Sequence, residues 1–252
     1  MRILLSNDDG IYAAGLKVLE RIARTLSDDI WIVAPERNQS GAGHSLTLSD
    51  PLRVRSLTER KFAINGTPTD CVVFACRHIM KEHRPDLVLS GVNYGDNLAE
   101  NVTYSGTVAA AMEASLFDIP SVAMSLALKA HSDNVHWEVA EHYGHGIVQK
   151  LLRSNIPPHV FVNVNFPNIP LLDVKGYKIT RQGKHDITGD LVERMDPRGQ
   201  SYFWVGALRP PKNVTPETDV GAIDDHYISV TPLSIDMTDQ PTYSHLKEVF
   251  HS

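Results

Sequence analysis

The chain has 252 residues, of which 42% are hydrophobic and 21% charged, with a formal net charge of −6. This is enough chain for a full hydrophobic core, and the acidic balance argues against binding nucleic-acid polymers or anionic membranes. No apolar run approaches the roughly 20 residues of a membrane span, and the N-terminus enters a strand at once, leaving no room for a signal peptide; a cytoplasmic protein is expected.

The opening run Arg2-Ile3-Leu4-Leu5 reads as a buried parallel strand that enters the loop Ser6-Asn7-Asp8-Asp9-Gly10. Apolar residues at Leu16, Leu19, Ile22, Ala23 and Leu26 then give the period of an amphipathic helix over 13–26. Ile30 to Ala34 is a second buried strand, followed by a polar loop from Pro35 to Thr47. Short strands are predicted at 52–56 and 62–64, with a turn at Asn65-Gly66. Thr67-Pro68 opens a helix running to about His83. It contains the two cysteines, Cys71 and Cys76, which read as buried thiols rather than a disulfide or metal site.

Asp86 to Ser90 is a third buried strand, leading into Gly91-Val92-Asn93-Tyr94-Gly95-Asp96-Asn97. Ser105-Gly106-Thr107 starts a small-residue helix over 108–116; a fourth strand spans 120–126, a long helix 134–152 and a fifth strand 160–165. Strands alternating with helices of this length imply βαβ units and a mostly parallel, doubly wound sheet. Beyond Pro167 the pattern changes to turns with strand-like pieces at 177–180, 201–206 and 227–231, and a short C-terminal helix. Residues 170–215 hold too few apolar side chains for an independent core. The expected division is therefore residues 1–167 as the α/β domain and 168–252 as an extension or arm packing on its own or a neighbouring subunit.

Two adjacent carboxylates at a strand end repel each other, which a bound cation or protonation relieves. In a doubly wound sheet, loops after successive strands share one rim, so Asp8, Asp9, Ser40 and Asn93 can meet around one hard divalent ion such as Mg²⁺ or Mn²⁺. The residual positive charge would suit an anionic substrate. Ser105-Gly106-Thr107 offers unpaired backbone N–H groups, hydroxyls and a helix N-terminus, an anion-binding arrangement. A phospho-relay receiver domain also carries an acidic pair after its first strand, but Ser90 stands where its acceptor carboxylate would be.

Read together, these segments resemble the SurE (stationary-phase survival protein E) family of metal-dependent nucleotidases. The likeness is carried by residues 2–10, Ala34 to Gly41, Gly66 to Cys71, Ser90 to Asn97, Tyr104 to Glu113, Asp196 to Gly199 and Ser229 to Leu233. It implies a Rossmann-like domain with a C-terminal hairpin or arm used in homodimer or homotetramer assembly. It also implies hydrolysis of nucleoside 5′- and 3′-monophosphates, and in some members of short polyphosphate. One divalent ion per subunit would be held by Asp8, Asp9, Ser40 and Asn93, with phosphate-side residues Ser105, Gly106, Thr107 and Asn97. Asp8 or Asp9 would position the attacking water. Ala14 stands where the family pattern often has proline, and His226 where it often has glycine. A nucleotide-binding regulator that does not hydrolyse its ligand is the competing class.

Overall fold

The first strand is short, apolar and buried on both faces, which fixes it as the centre of the sheet. In the computed structural model, which describes residues 1–128, 134–184, 191–205 and 214–251, β1 (Arg2–Ser6) sends Ile3 and Leu5 to one side and Leu4 to the other. Parallel neighbours flank it: β2 (Asp29–Pro35) on one edge and β5 (Leu87–Tyr94) on the other. The remaining strands of the sheet are β3 (Val54–Thr58), β4 (Lys61–Ile64), β6 (Ser121–Ala127), β7 (Val160–Pro167), β8 (Tyr177–Ile179) and β11 (Ile228–Ser234). Their order is β3-β4-β2-β1-β5-β6-β7-β11-β8, with antiparallel pairing only for β3 with β4 and β11 with β7. The order reverses between β1 and β5. That is the topological switch point, where loops diverge and open a crevice.

Helices cover both faces. On one side α1 (Ala14–Arg24) and α4 (Trp137–Leu152) bury Leu16, Leu19, Ile22, Val139 and Val148 against Ile3, Leu5, Leu87 and Leu89. On the other, α2 (Pro68–Phe74) and α3 (Gly106–Leu116) bury Cys71, Val72, Ala110 and Ala114 against Leu4, Val33 and Val88. Both cysteines are buried, and burial pushes the thiol pKa of Cys76 up to about 11.

The expected long helix after Pro68 is shorter and irregular. Its α-helical bonds give way at Ala75–Ile79 to a π turn, closed by the Met80 N–H on the Ala75 carbonyl at 2.8 Å. Continuation is blocked at Arg84-Pro85, since a residue before proline avoids the helical region. Two elements are additional to the sequence reading. α5 (Asp219–Asp224) is one Thr218-capped turn too short to show a period. β9 (Leu191–Met195) pairs antiparallel with β10 (Ser201–Val205) as a separate hairpin. Neither face of β9 is covered, so its sequence lacks the alternation that marks a half-buried strand. Gly206, the expected end of β10, lies outside the described residues. His226 adopts φ +67°, a left-handed conformation that explains why glycine suits its position. α1 starts at Ala14 without a side-chain cap, and a proline fits a first helical position of that kind. The last helix, α6 (Gln240–His251), exposes Tyr243, Leu246 and Val249.

α1 crosses β5 at Gly15, where an added Cβ would lie 1.8 Å from the Val92 carbonyl oxygen. Backbone meets backbone here, so no rotamer change relieves the clash. Gly15→Ala should therefore destabilise the protein by roughly 2 kcal/mol or more, read as a lower urea midpoint at unchanged slope. An unchanged midpoint would show that α1 can lift away from β5 freely.

Candidate active site

The site begins with the register of β1 on β5, which sets Ser6 opposite Ser90 and brings the two following loops out side by side. After Ser6 the chain turns sharply. Asn7 Nδ2 donates to the Gly10 carbonyl at 3.0 Å, and Gly10 takes φ +102° against the Arg37–Asn38 backbone, where an added Cβ would sit 3.2 Å from Arg37 C. The turn leaves two neighbouring carboxylates in different surroundings.

Asp8 is 3% exposed, and its Oδ1 accepts the Thr107 hydroxyl. Burial raises its pKa to about 6, the Thr107 hydroxyl opposes the rise and the Asp9 charge adds to it. Asp9 is half-buried, with Oδ2 accepting the Tyr94 N–H at 3.1 Å. Burial raises its pKa too, with the Tyr94 N–H pulling the other way. The Asp9–Tyr94 bond spans the switch point.

The loop after β2 is tied in from several sides. Its Gln39 N–H donates to the Asp8 carbonyl at 2.8 Å, and its Gly43 N–H donates to the Tyr104 carbonyl at 3.0 Å. His44 Nε2 lies 2.8 Å from Glu113 Oε2 on α3, bracing the loop against that helix. Ser40 follows Gln39 directly and is exposed, with its own N–H held by Asn38 Oδ1 at 2.7 Å. After β5, half-buried Asn93 donates its Nδ2 to the Gly95 carbonyl at 3.0 Å, and its Oδ1 is by chemistry an acceptor.

α3 completes the rim. Ser105 caps it, with Oγ accepting the Val108 N–H at 3.1 Å. Gly106 packs so closely on the first loop that an added Cβ would lie 2.8 Å from Asp8 Cβ and 2.9 Å from Pro68 Cγ. Only glycine lets the positive end of this helix come so near the carboxylate. Asn97 is fixed by the strands beneath it. Its Nδ2 donates to Ser125 Oγ at 2.8 Å, its N–H donates to Asn165 Oδ1 at 2.8 Å, and its carbonyl accepts from Asn163 Nδ2 at 2.7 Å. This buried polar mount is new to the structure, although β7 hints at it. Asn163 and Asn165 alternate with apolar residues and face the same side.

Two carboxylates, an amide oxygen and a hydroxyl form an all-oxygen donor set, the chemistry of a hard divalent cation. Among the described residues no group of three or more His, Cys, Asp or Glu side chains is gathered for a metal, so neutral oxygens would have to complete any shell built on Asp8 and Asp9. Asp9 accepts the Tyr94 N–H on one oxygen, and the more deeply buried Asp8 carboxyl accepts the Thr107 hydroxyl together with the backbone N–H groups of Asp8 and Thr107.

The family model described as "Survival protein SurE" matches residues 3–189. A protein named 5′-nucleotidase SurE from Paramagnetospirillum magneticum is 51% identical over 250 residues, covering 99% of this chain and 96% of that protein. One of the same name from Caulobacter sp. (strain K31) is 54% identical, covering 98% of this chain and 93% of the relative. The crystal structure of the SurE protein from Aquifex aeolicus superposes with a TM-score of 0.84 at 39% identity, covering 99% of each chain.

The raised pKa of Asp8 has a consequence for the metal-free protein. A carboxyl whose folded pKa lies above its unfolded value contributes stability at low pH that is lost as pH rises through the folded value. For Asp8 the window runs from about 4, its unfolded range, to about 6 and somewhat beyond. Asp8→Asn keeps an acceptor for Thr107 and removes the buried charge. In chelator-treated protein at pH 8 it should therefore be more stable than the parent by about 2–3 kcal/mol, with the gap closing at pH 4.5. Denaturant titrations at the two pH values measure this, and an equal gap at both would refute the burial account.

Proposed function

We propose, from the premise that this chain belongs to the survival protein SurE family, that it is a phosphoric monoester hydrolase releasing phosphate from nucleoside monophosphates. The observation that carries this reading is the buried Asp8, set beside Asp9 and bonded to Thr107 in the first turn of α3. A carboxylate pair that wants a cation thus adjoins a helix end that wants an anion.

One Mg²⁺ or Mn²⁺ per subunit fits the oxygen donors of Asp8, Asp9, Ser40 and Asn93. When bound, such an ion polarises the phosphoryl group and lowers the pKa of a coordinated water. The chain's own residues supply the rest. Asp8 or Asp9 accepts a hydrogen bond from the attacking water and so aims it in line with the leaving oxygen. The Ser105 hydroxyl, whose oxygen already accepts Val108 N–H, still has a proton to donate, and the Gly106 N–H has no acceptor in its own helix. Both stabilise charge on the equatorial phosphoryl oxygens. Thr107 commits its hydroxyl proton to Asp8, so it serves phosphate by holding the carboxylate and helix end together. Asn97 is the further phosphate-side residue, its backbone held in place by Asn163 and Asn165.

The same cradle takes 5′- and 3′-monophosphates, and short polyphosphate, because it grips the phosphoryl group rather than the sugar. Residues 1–167 form the catalytic part, and 168–252 the extension. The exposed Phe203 and Trp204 of β10 and Leu246 and Val249 of α6 are covered in a homodimer or homotetramer. Among the described residues no helix is long and apolar enough to cross a membrane; the enzyme works in the cytoplasm.

Stripped with a chelator, the protein should release no phosphate from AMP, and added Mn²⁺ or Mg²⁺ should restore release. Tight AMP binding with no release after metal addition would instead support a ligand sensor. Ser105→Ala should lower kcat/KM by an amount equivalent to roughly 1–3 kcal/mol, one useful hydrogen bond plus part of a cap. Unchanged steady-state kinetics in that variant would remove Ser105 from the cradle.

A further inference from the structure

Three large aromatic side chains stand exposed on the rim, each a few residues from a group that holds the proposed substrate or ion. Tyr12 follows the Asp8–Gly10 turn and is 62% exposed, Tyr94 follows Asn93 at 58%, and Tyr104 precedes Ser105 at 62%. Buried or half-buried tyrosine is the common case, so three exposed rings around one crevice call for a reason. Two already have partners. The Tyr12 hydroxyl lies 3.3 Å from Arg55 Nη1, and the Tyr94 ring packs 6.3 Å from Trp137 at a 47° tilt.

Tyr104 differs. Its backbone is pinned at both ends, the N–H on the Asn101 carbonyl at 3.1 Å and the carbonyl under the Gly43 N–H at 3.0 Å. Gly43 takes φ +56°, and an added Cβ there would lie 3.3 Å from the Thr103 carbonyl, so the loop bearing Ser40 runs directly against this residue. The backbone of Tyr104 is thus held at the junction of that loop with the N-cap of α3, with its side chain left exposed. Its ring stacks on no other aromatic ring among the described residues. A rigid backbone carrying an unstacked aromatic face, one residue from an anion cradle, is the arrangement a stacking platform requires.

We propose that Tyr104 is the platform on which the base of a nucleoside monophosphate stacks when its phosphate occupies the Ser105–Thr107 end of α3. This rests on the nucleotidase reading and extends it to recognition of the base. Stacking uses the π face and not the hydrogen-bonding edge, so the site accepts purines and pyrimidines alike and favours the larger purine face. The phenol hydroxyl is not needed, because the ring provides the contact.

The test compares AMP with ribose 5-phosphate, which carries the same phosphate and sugar but no base, using metal-loaded enzyme. Tyr104→Ala should reduce the ratio of kcat/KM for AMP over ribose 5-phosphate by about tenfold or more, chiefly through KM for AMP. Tyr104→Phe should keep the parent ratio. An unchanged ratio in Tyr104→Ala overturns the proposal, as does an equal loss on both substrates, which would mean a structural role at the start of α3. A fall in the ratio for Tyr12→Ala or Tyr94→Ala but not for Tyr104→Ala likewise overturns it. Failure of the parent enzyme to hydrolyse either compound would defeat the nucleotidase reading itself, a result distinct from all of these.

Discussion

The hydroxyl of Thr107 on the carboxylate of Asp8 joins the two halves of the site, and most of the surrounding architecture serves to permit it. It needs β1 and α3 to meet closer than ordinary side chains allow, which Gly106 makes possible. It needs Asp8 to stay buried although burial opposes its charge. It also needs the rim loops to be fixed, and two backbone N–H groups do that, Gln39 on the Asp8 carbonyl and Tyr94 on the Asp9 carboxylate. The outcome is a crevice in which a disfavoured negative pair faces the positive end of a helix. Neither half is at ease without a ligand, and a cation carrying a phosphoryl group would satisfy both.

Much of this was legible in the sequence because the signals are local. The buried strand ending in Asp8-Asp9, the Ser-Gly-Thr helix start and the alternation of strands with helices each occupy a few adjacent residues. What escaped was long-range. Nothing near Thr107 announces that its hydroxyl turns back to Asp8 rather than outward to phosphate, since the partners lie 99 residues apart. Asn97 reads as a rim residue, and its backbone and Nδ2 prove to be held by Ser125, Asn163 and Asn165 from two strands that the sequence brings near only through the fold. Of the β9–β10 hairpin, only β9 escaped, and for the opposite reason. It pairs with β10 alone and buries little, so no hydrophobic period betrays it, whereas the apolar run of β10 shows at 201–205.

The mount beneath Asn97 also links the rim to the C-terminal part of the chain. Ala99, at φ +48°, donates its N–H to Asp219 Oδ2 at 2.9 Å, and its carbonyl accepts Gln182 Nε2 at 2.9 Å. Asp219 is fully buried and also accepts the Gly183 N–H at 2.8 Å. The segment between Asn93 and Ser105 is therefore bolted from below by β6 and β7, and from the side by residues past Pro167. β11 reinforces this by pairing with β7 inside the same sheet. The backbone of the rim is bonded to side chains of the extension, so displacement of one strains the other.

The proposed ligands Asp8, Asp9, Ser40 and Asn93 would hold one divalent ion with its open side toward the start of α3. Anomalous diffraction from crystals grown with Mn²⁺ and a phosphate mimic tests it most directly. The account predicts one manganese peak bound by both carboxylates, the Asn93 amide oxygen and the Ser40 hydroxyl, with the mimic bridging it to Ser105 and Gly106. Manganese bound elsewhere in the chain, with Asp8 and Asp9 unligated in crystals that hydrolyse AMP, would contradict it.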